Sequence, residues 1–414
     1  MEQKLKLEVT SDPRDMGFDA TRLRRIDDHF RPYVDQGKLA GWLIHVARRG
    51  EPVYLSAYGM RDLEAGLPIE NDTLFRIFSM TKPITSVAAM ILYERGKLEL
   101  TDPVSKYIPS FKETRVYLKG SYQAPATVPS ATQMQIAHLL THTAGLTYGF
   151  HYAHATDAIY RANGFEWGQP KGMTLEQCCD AWAQMPLVCH PGSEWNYSVA
   201  TDVLGRVVEI ASGMSLDDFF RREIFEPLGM ADTAFYVDGA DHNRLGALYV
   251  PSPETGAALR FDQFGKAALT PPTVLSGGGG LISSAHDYFA FMTMLLNKGV
   301  LNSRRILSPR ILDLMTMNHL PGHQDLEEVG RPLFSESSYA GVGFGLGFSV
   351  VIDQASTKLP ASVGTFAWGG AASTAFMVDP KEELTVLFMT QLLPSSTYPI
   401  RPQLTQLVYQ ALVD

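Results

Sequence analysis

The sequence predicts a mixed α/β fold, more narrowly α+β: one antiparallel sheet built from both chain ends and flanked by helices, plus a helical lobe from the middle. Three observations carry this. Short β-branched and aromatic runs separated by turn residues occur near the start and again in the last quarter. From about 110 to 270 the pattern is instead helical segments divided by loops. The 414 residues, 45% hydrophobic and 19% charged, suffice for one large fold or two lobes. The expected division is 1–78 with 275–414 as the sheet-bearing lobe and 79–274 as the mainly helical one, with a cleft between them.

Taken in order, Asp19 is placed to cap a helix that carries Leu23, Ile26 and Phe30 on one face and ends near Gly37. Residues 42–47 and 52–58 follow as strands, joined into a hairpin by Arg48-Arg49-Gly50-Glu51. Asn71, Asp72 and Thr73 precede a run in which Ile84, Val87, Ala88, Ile91 and Leu92 recur at helical spacing until Gly96. Pro83 is tolerable only in a first turn, so this helix starts close to Ser79. Residues 98–109 read as a loop with short turns, and 199–212 and 216–224 as helices. Segment 148–169 holds Tyr148, Phe150, Tyr152, Tyr160, Phe165 and Trp167 without a clean period; it either folds over the core or lines an apolar pocket. After Ser276-Gly277-Gly278-Gly279-Gly280 a helix is expected over 285–297. Residues 344–352, 364–368, 374–378 and 384–390 read as strands, and Leu404, Leu407, Val408, Ala411 and Leu412 mark a last helix. The alternating Gly341, Gly343, Gly345 and Gly347 mark a strand closely approached by another backbone.

Composition narrows the function. A formal net charge of −9, without a Lys/Arg cluster, argues against nucleic acid and anionic membrane as partners. No 18-residue apolar run is present, and residues 1–6 lack an apolar h-region, so a cytoplasmic protein is expected. Cys178, Cys179 and Cys189 read as buried thiols in a reducing compartment, since three is an odd count and adjacent cysteines rarely pair. No zinc-ligand spacing, H-E-x-x-H or P-loop occurs, so no metal or cofactor is expected. His138 and His142 are read as structural, no acidic partner being arranged around them. The G-x-S-x-G nucleophile elbow is absent, and there are no internal repeats.

Phe78-Ser79-Met80-Thr81-Lys82 is the segment that carries chemistry. Residues three apart share a helix face, so an amine stands one turn from a hydroxyl nucleophile. The amine can take the Ser79 proton only if burial or neighbouring positive charge pulls its pKa down. At a helix N-terminus the unpaired N–H groups also favour developing negative charge.

Further segments make the chain resemble the serine β-lactamase and penicillin-binding-protein superfamily, on the side of class C β-lactamases, D-alanyl-D-alanine carboxypeptidases and family VIII carboxylesterases. His138-Leu139-Leu140-Thr141-His142-Thr143-Ala144-Gly145-Leu146 resembles "LLTHTSGL", and Pro191-Gly192-Ser193-Glu194-Trp195-Asn196-Tyr197-Ser198 resembles "PG…F-x-YS". Pro227-Leu228-Gly229-Met230 with Thr233 resembles "PLGM-x-x-T", and residues 276–281 resemble "GGG-L-x-S". In family order, these landmarks run from about residue 20 to the C-terminus. The resemblance implies a β-lactamase-like fold, with catalytic Ser79, Lys82 and Tyr197 and an oxyanion hole from the N–H groups of Ser79 and Ala371. Either Lys82 or Tyr197 is the first base; Tyr197 then protonates the leaving alkoxide.

Two departures select within the superfamily. Where Tyr-x-Asn is usual, the chain has Tyr197-Ser198-Val199, which lacks the amide that positions the lysine or a β-lactam side chain. Where Lys-Thr-Gly or His-x-Gly is usual, it has Trp368-Gly369-Gly370, an indole in place of a cation. This suits neutral apolar esters better than anionic acyl donors. The implied activity is a family VIII-like carboxylesterase on small-molecule, short- or medium-chain esters. Its substrate contacts would come from Trp368, Gly369, Gly370, Tyr148, Phe150 and Val199. An acyltransferase, a β-lactamase or D-alanyl peptidase, and a silent binding protein on this scaffold are the alternatives. A homo-oligomer stays open.

Overall fold

The computed structural model describes residues 5–331 and 338–414; residues 1–4, part of the opening stretch read for an h-region, lie outside the described residues. The first hairpin joins β1 (Gly41–Arg48) to β2 (Glu51–Asp62) through Arg49 and Gly50, at φ 56° and 78°. Positive φ at both turn residues is the geometry whose twist matches paired strands. With β3 (Leu67–Pro68), β4 (Val342–Phe344), β5 (Ser349–Val351), β6 (Phe366–Gly369), β7 (Ala375–Asp379) and β8 (Leu384–Met389) they form an eight-stranded sheet of order β4-β5-β6-β7-β8-β1-β2-β3. Every pairing is antiparallel. The two chain ends meet where β1 lies beside β8, with Leu43 opposite Met389 and Ile44 opposite Phe388. The chain-end sheet expected from the sequence is thus present.

Helices α1 (Arg25–Asp35), α2 (Thr81–Glu94), α3 (Ala200–Ser212), α4 (Ala285–Leu296) and α5 (Ile400–Tyr409) share the two hydrophobic cores with the sheet. Asp19 accepts from the N–H groups of Thr21 and Arg22 at 2.7 and 3.0 Å, capping the short turn that leads into α1. All of β1 is buried because both sheet faces are covered. Trp42, Ile44, Val46, Val386 and Phe388 face Ile26 and Phe30 of α1 and Leu404 and Val408 of α5. Leu43, Ala47, Leu387 and Met389 instead join the larger core, with α2, α3 and α4. Every residue of α2 from Thr81 to Leu92 is buried. A helix covered on all sides belongs to the interior, and α2 packs chiefly on α3.

Two stretches depart from expectation. Residues 344–352 form no single strand: β4 and β5 pair with each other across Gly345-Leu346-Gly347. Period-2 alternation continues through a tight turn, so it hides the reversal. The glycines do serve close approach, but Gly345 and Gly347 lie in the turn rather than in a strand, and Gly347 meets a side chain rather than another backbone. A Cβ on Gly345 would lie 2.2 Å from the Met315 carbonyl, and one on Gly347 (φ 103°) 2.2 Å from the Ser86 hydroxyl on α2. Within 110–270, Arg115–Ser121 pairs with Ala124–Pro129 and Tyr249–Pro251 with Ala258–Arg260. Pro125, Pro129 and Pro251 argue against strands, yet a short two-stranded ribbon admits proline at positions that donate no ladder bond. Among the described residues no helix is long and apolar enough to cross a membrane.

Gly347→Ala should destabilise the protein by about 2–4 kcal/mol, combining a strained φ with overpacking against α2. Thermal unfolding checks this; an unchanged Tm would contradict the close approach.

Candidate active site

Ser79 lies in the 3₁₀ turn Phe78–Met80 that runs directly into α2. The turn is fixed from both sides. Strand Leu74–Arg76 pairs with Ile282–Ser284, and the Ile77 N–H donates to the Leu281 carbonyl at 3.1 Å. The buried Arg76 guanidinium donates to the carbonyls of Gly246 and Gly265. Phe78, just before the serine, has φ 43°, a left-handed conformation that costs a non-glycine residue about 1–2 kcal/mol. Such strain persists only where its surroundings enforce it.

The Lys82 ammonium has three acceptors: Ser79 Oγ at 3.2 Å, the Tyr148 hydroxyl at 3.0 Å and the Gly278 carbonyl at 2.7 Å. Three N–H donors are thereby matched. A neutral amine would have two donors and a lone pair, and the Ser79 hydroxyl is the partner able to reverse and donate. Two neighbours of Lys82 on α2 help hold the glycine run that supplies the third acceptor. Thr81 Oγ1 accepts from the Leu281 N–H at 3.1 Å, and Thr85 Oγ1 donates to the Gly277 carbonyl at 2.7 Å.

Tyr197 stands in the middle of this group. The Lys82 nitrogen lies 4.5 Å from its ring centroid, and the rings of His142, Tyr148 and Trp368 lie 4.9, 5.4 and 5.5 Å away. Among the described residues its hydroxyl has no protein hydrogen-bond partner; the phenol that bonds the lysine is that of Tyr148. Burial pushes the Tyr148 hydroxyl well above the ordinary phenol range, and the nearby Asp202 carboxylate pushes it further. Tyr148 is therefore a phenol, not a phenolate, at neutral pH. The backbone before Tyr197 is tied to the 141–146 turn: the Asn196 N–H donates to the His142 carbonyl at 2.9 Å and its amide to the Leu146 carbonyl at 2.7 Å.

Part of the aromatic segment folds into the core, as one of its two open readings had it. Tyr160 and Phe165 are buried in the large core, whereas Phe150 stacks on Tyr148 at 4.6 Å and on the exposed Trp167 at 5.1 Å. On the opposite side β6 ends beside the serine turn. A Cβ on Gly370 would lie 2.3 Å from the Ile77 carbonyl, and one on Gly369 2.1 Å from the Arg401 guanidinium. Both glycines therefore serve close packing. Among the described residues no protein acceptor takes the N–H of Ser79 or Ala371. Trp368 packs edge-on against Phe344 at 5.2 Å. Val199 is buried in the large core at the start of α3.

A Beta-lactamase family model matches residues 26–410. The chain belongs to this family. Among curated relatives of this Beta-lactamase family member, Protein Rv1367c of Mycobacterium tuberculosis is 37% identical over 368 residues, covering 88% of each chain. Esterase EstB of Burkholderia gladioli is 34% identical over 396 residues, 92% of this chain and 93% of its own. The solved structure of EstCE1, described as a hydrolase with promiscuous acyltransferase activity, superposes with a TM-score of 0.77 at 29% identity, covering 95% of this chain and 98% of that one.

Three residues near the site carried no sequence signal of their own. His142, read as structural, lies against Tyr197 with Nδ1 3.3 Å from the Ser198 hydroxyl. His151 lies behind Tyr148, and burial lowers its pKa to about 4. Asp202 is buried behind the glycine run. A lone histidine or aspartate in a helical stretch looks alike on a surface and in a cleft. By contrast His138 has the structural part expected of it, with Nδ1 accepting from the Gln135 N–H at 3.1 Å. All three cysteines are free and buried.

Proposed function

We propose that the protein is a serine carboxylesterase that cleaves short- and medium-chain, neutral small-molecule esters through an acyl-enzyme on Ser79. The carrying observation is the buried Lys82 nitrogen 3.2 Å from Ser79 Oγ, between two half-buried phenols, Tyr148 and Tyr197. Ser79 Oγ attacks the ester carbonyl, and its proton passes to Lys82 as the neutral amine or, if Tyr197 is the first base, to that residue as its phenolate. The oxyanion is held by the N–H groups of Ser79 and Ala371; one such donor typically contributes about 3 kcal/mol. As the C–O bond breaks, the alkoxide takes a proton from Tyr197, which regains one from Lys82 where the amine was the first base; the Tyr197 hydroxyl is not engaged by the protein among the described residues. Water then repeats the sequence on the acyl-enzyme and frees the acid. Tyr148, kept protonated by burial, holds Lys82 in place. Trp368 gives the cleft an apolar wall where a cation would favour carboxylates. The name of EstB, an esterase 34% identical over nearly the whole chain, supports the same class.

A fluorophosphonate probe and p-nitrophenyl butyrate test this directly. Intact-protein and peptide mass spectrometry should place one adduct on Ser79, with loss of hydrolysis. A labelled but unmodified Ser79, or no adduct in active enzyme, would overturn it. Tyr197→Phe should lower kcat by about 10²–10³-fold, the range of a lost general acid, and Tyr148→Phe by about tenfold. The reverse ranking in steady-state kinetics would exchange the two roles.

A second reading, acyl transfer to an alcohol, is favoured by the promiscuous acyltransferase activity described for EstCE1. Product analysis in excess alcohol separates the two, since only transfer yields a new ester.

A further inference from the structure

Asp202, in the first turn of α3, is 6% exposed, and the chemistry above does not use it. Its Oδ1 accepts from the Ser276 hydroxyl at 2.5 Å and from the Gly278 N–H at 3.0 Å. The carbonyl of that same Gly278 accepts from Lys82 at 2.7 Å. A buried carboxylate and the candidate catalytic amine thus grip one residue of the glycine run from its two ends. A Cβ on Gly278 would lie 2.3 Å from Asp202 Oδ2, so only glycine allows this approach. The run read from the sequence as a family landmark therefore has a local reason.

We propose that Asp202 is the positioning residue for Lys82: acting through Gly278, it fixes the amine beside Ser79, and its charge sets how readily the amine gives up its proton. This rests on the reading of Ser79 and Lys82 as nucleophile and amine of an esterase.

A buried carboxylate is unfavourable unless hydrogen-bonded and charge-compensated. For Asp202 burial raises the pKa, while the Lys82 charge and the bonds from Ser276 and Gly278 oppose the rise. The other titratable groups facing this pair are Tyr148 and His151 from the aromatic segment, His142 from the 141–146 turn, Tyr197 from its loop, and Cys178 and Cys179 from the helix Leu175–Gln184. Burial holds Tyr148 and both thiols protonated and both imidazoles neutral. Asp157 bonds Thr147 and the 153–154 backbone and acts on His151. Asp202 is then the anion placed to act on Lys82.

The test is the pH profile of kcat/KM for p-nitrophenyl butyrate in Asp202→Asn. Removing a negative charge makes the ammonium less favourable relative to the amine. The acid limb, along which the amine must lose its proton, should therefore move to lower pH by about one unit. The plateau kcat should fall about tenfold, with KM little changed. An acid limb superimposable on that of the parent, in a variant of parental Tm, would overturn the proposal. If Asp202→Asn does not fold, Gly278→Ala replaces it: kcat should fall at least tenfold at unchanged KM, and a parental kcat would be equally fatal. Fluorophosphonate labelling of the parent is read first. Absence of an adduct on Ser79 removes the esterase reading and this proposal together; an adduct with an unmoved limb removes the role of Asp202 alone.

Discussion

Ser79→Ala is expected to lower kcat/KM for p-nitrophenyl butyrate by about 10⁴-fold or more, because a nucleophile has no substitute once its oxygen is gone. The fold should survive. Ser79 is only half-buried, and the hydrogen bond it forms is one of three that hold Lys82. The turn is held by the Leu74–Arg76 pairing and by Arg76, not by the serine side chain. Tm should therefore stay within a degree or two while activity disappears, and the fluorophosphonate adduct should vanish with it. Full hydrolysis by Ser79→Ala would place the nucleophile elsewhere and dismantle the mechanism.

Replacing Lys82 should be nearly as damaging, and the choice of replacement separates its roles. Lys82→Met removes both charge and base: kcat should fall about 10³–10⁴-fold. It also strands the Gly278 carbonyl and the Tyr148 hydroxyl, so stability should fall by about 1–3 kcal/mol. Lys82→Arg keeps the positive charge but cannot act as a base at any accessible pH. If Lys82 takes the serine proton, the arginine variant should be as inactive as the methionine one though better folded. If Tyr197 is the first base and Lys82 only supplies charge, the arginine variant should retain several per cent of activity. Steady-state kinetics beside thermal unfolding reads both. Parental activity in Lys82→Met would refute any catalytic part for the amine.

The elements legible in the sequence are those specified by nearest neighbours. Arg49-Gly50 makes a hairpin because Gly50 takes positive φ without a steric cost, while Arg49 is held there by the paired strands. Asp19 caps because its carboxylate reaches its own backbone. Pro83 fixes the start of α2 because it has no N–H to donate. Ser79 and Lys82 fall together because one helical turn separates them. The reversal between β4 and β5 was not legible, since alternation reads the same through a tight turn as along a straight strand.

By itself, then, the chain's order of residues determined the sheet built from two ends, a serine hydroxyl one helical turn from an amine, and the family to which they belong. Tertiary structure decided which phenol bonds the lysine, and that a carboxylate stands behind it. Tyr148 is 66 residues from Lys82 and Gly278 is 196, so no local periodicity links them. Periodicity tells which face a side chain occupies; what lies across from that face depends on the path of the whole backbone. Asp202 shows the difference plainly. In the sequence it is one more acidic residue near a helix start, and only the approach of Gly278 turns it toward the amine.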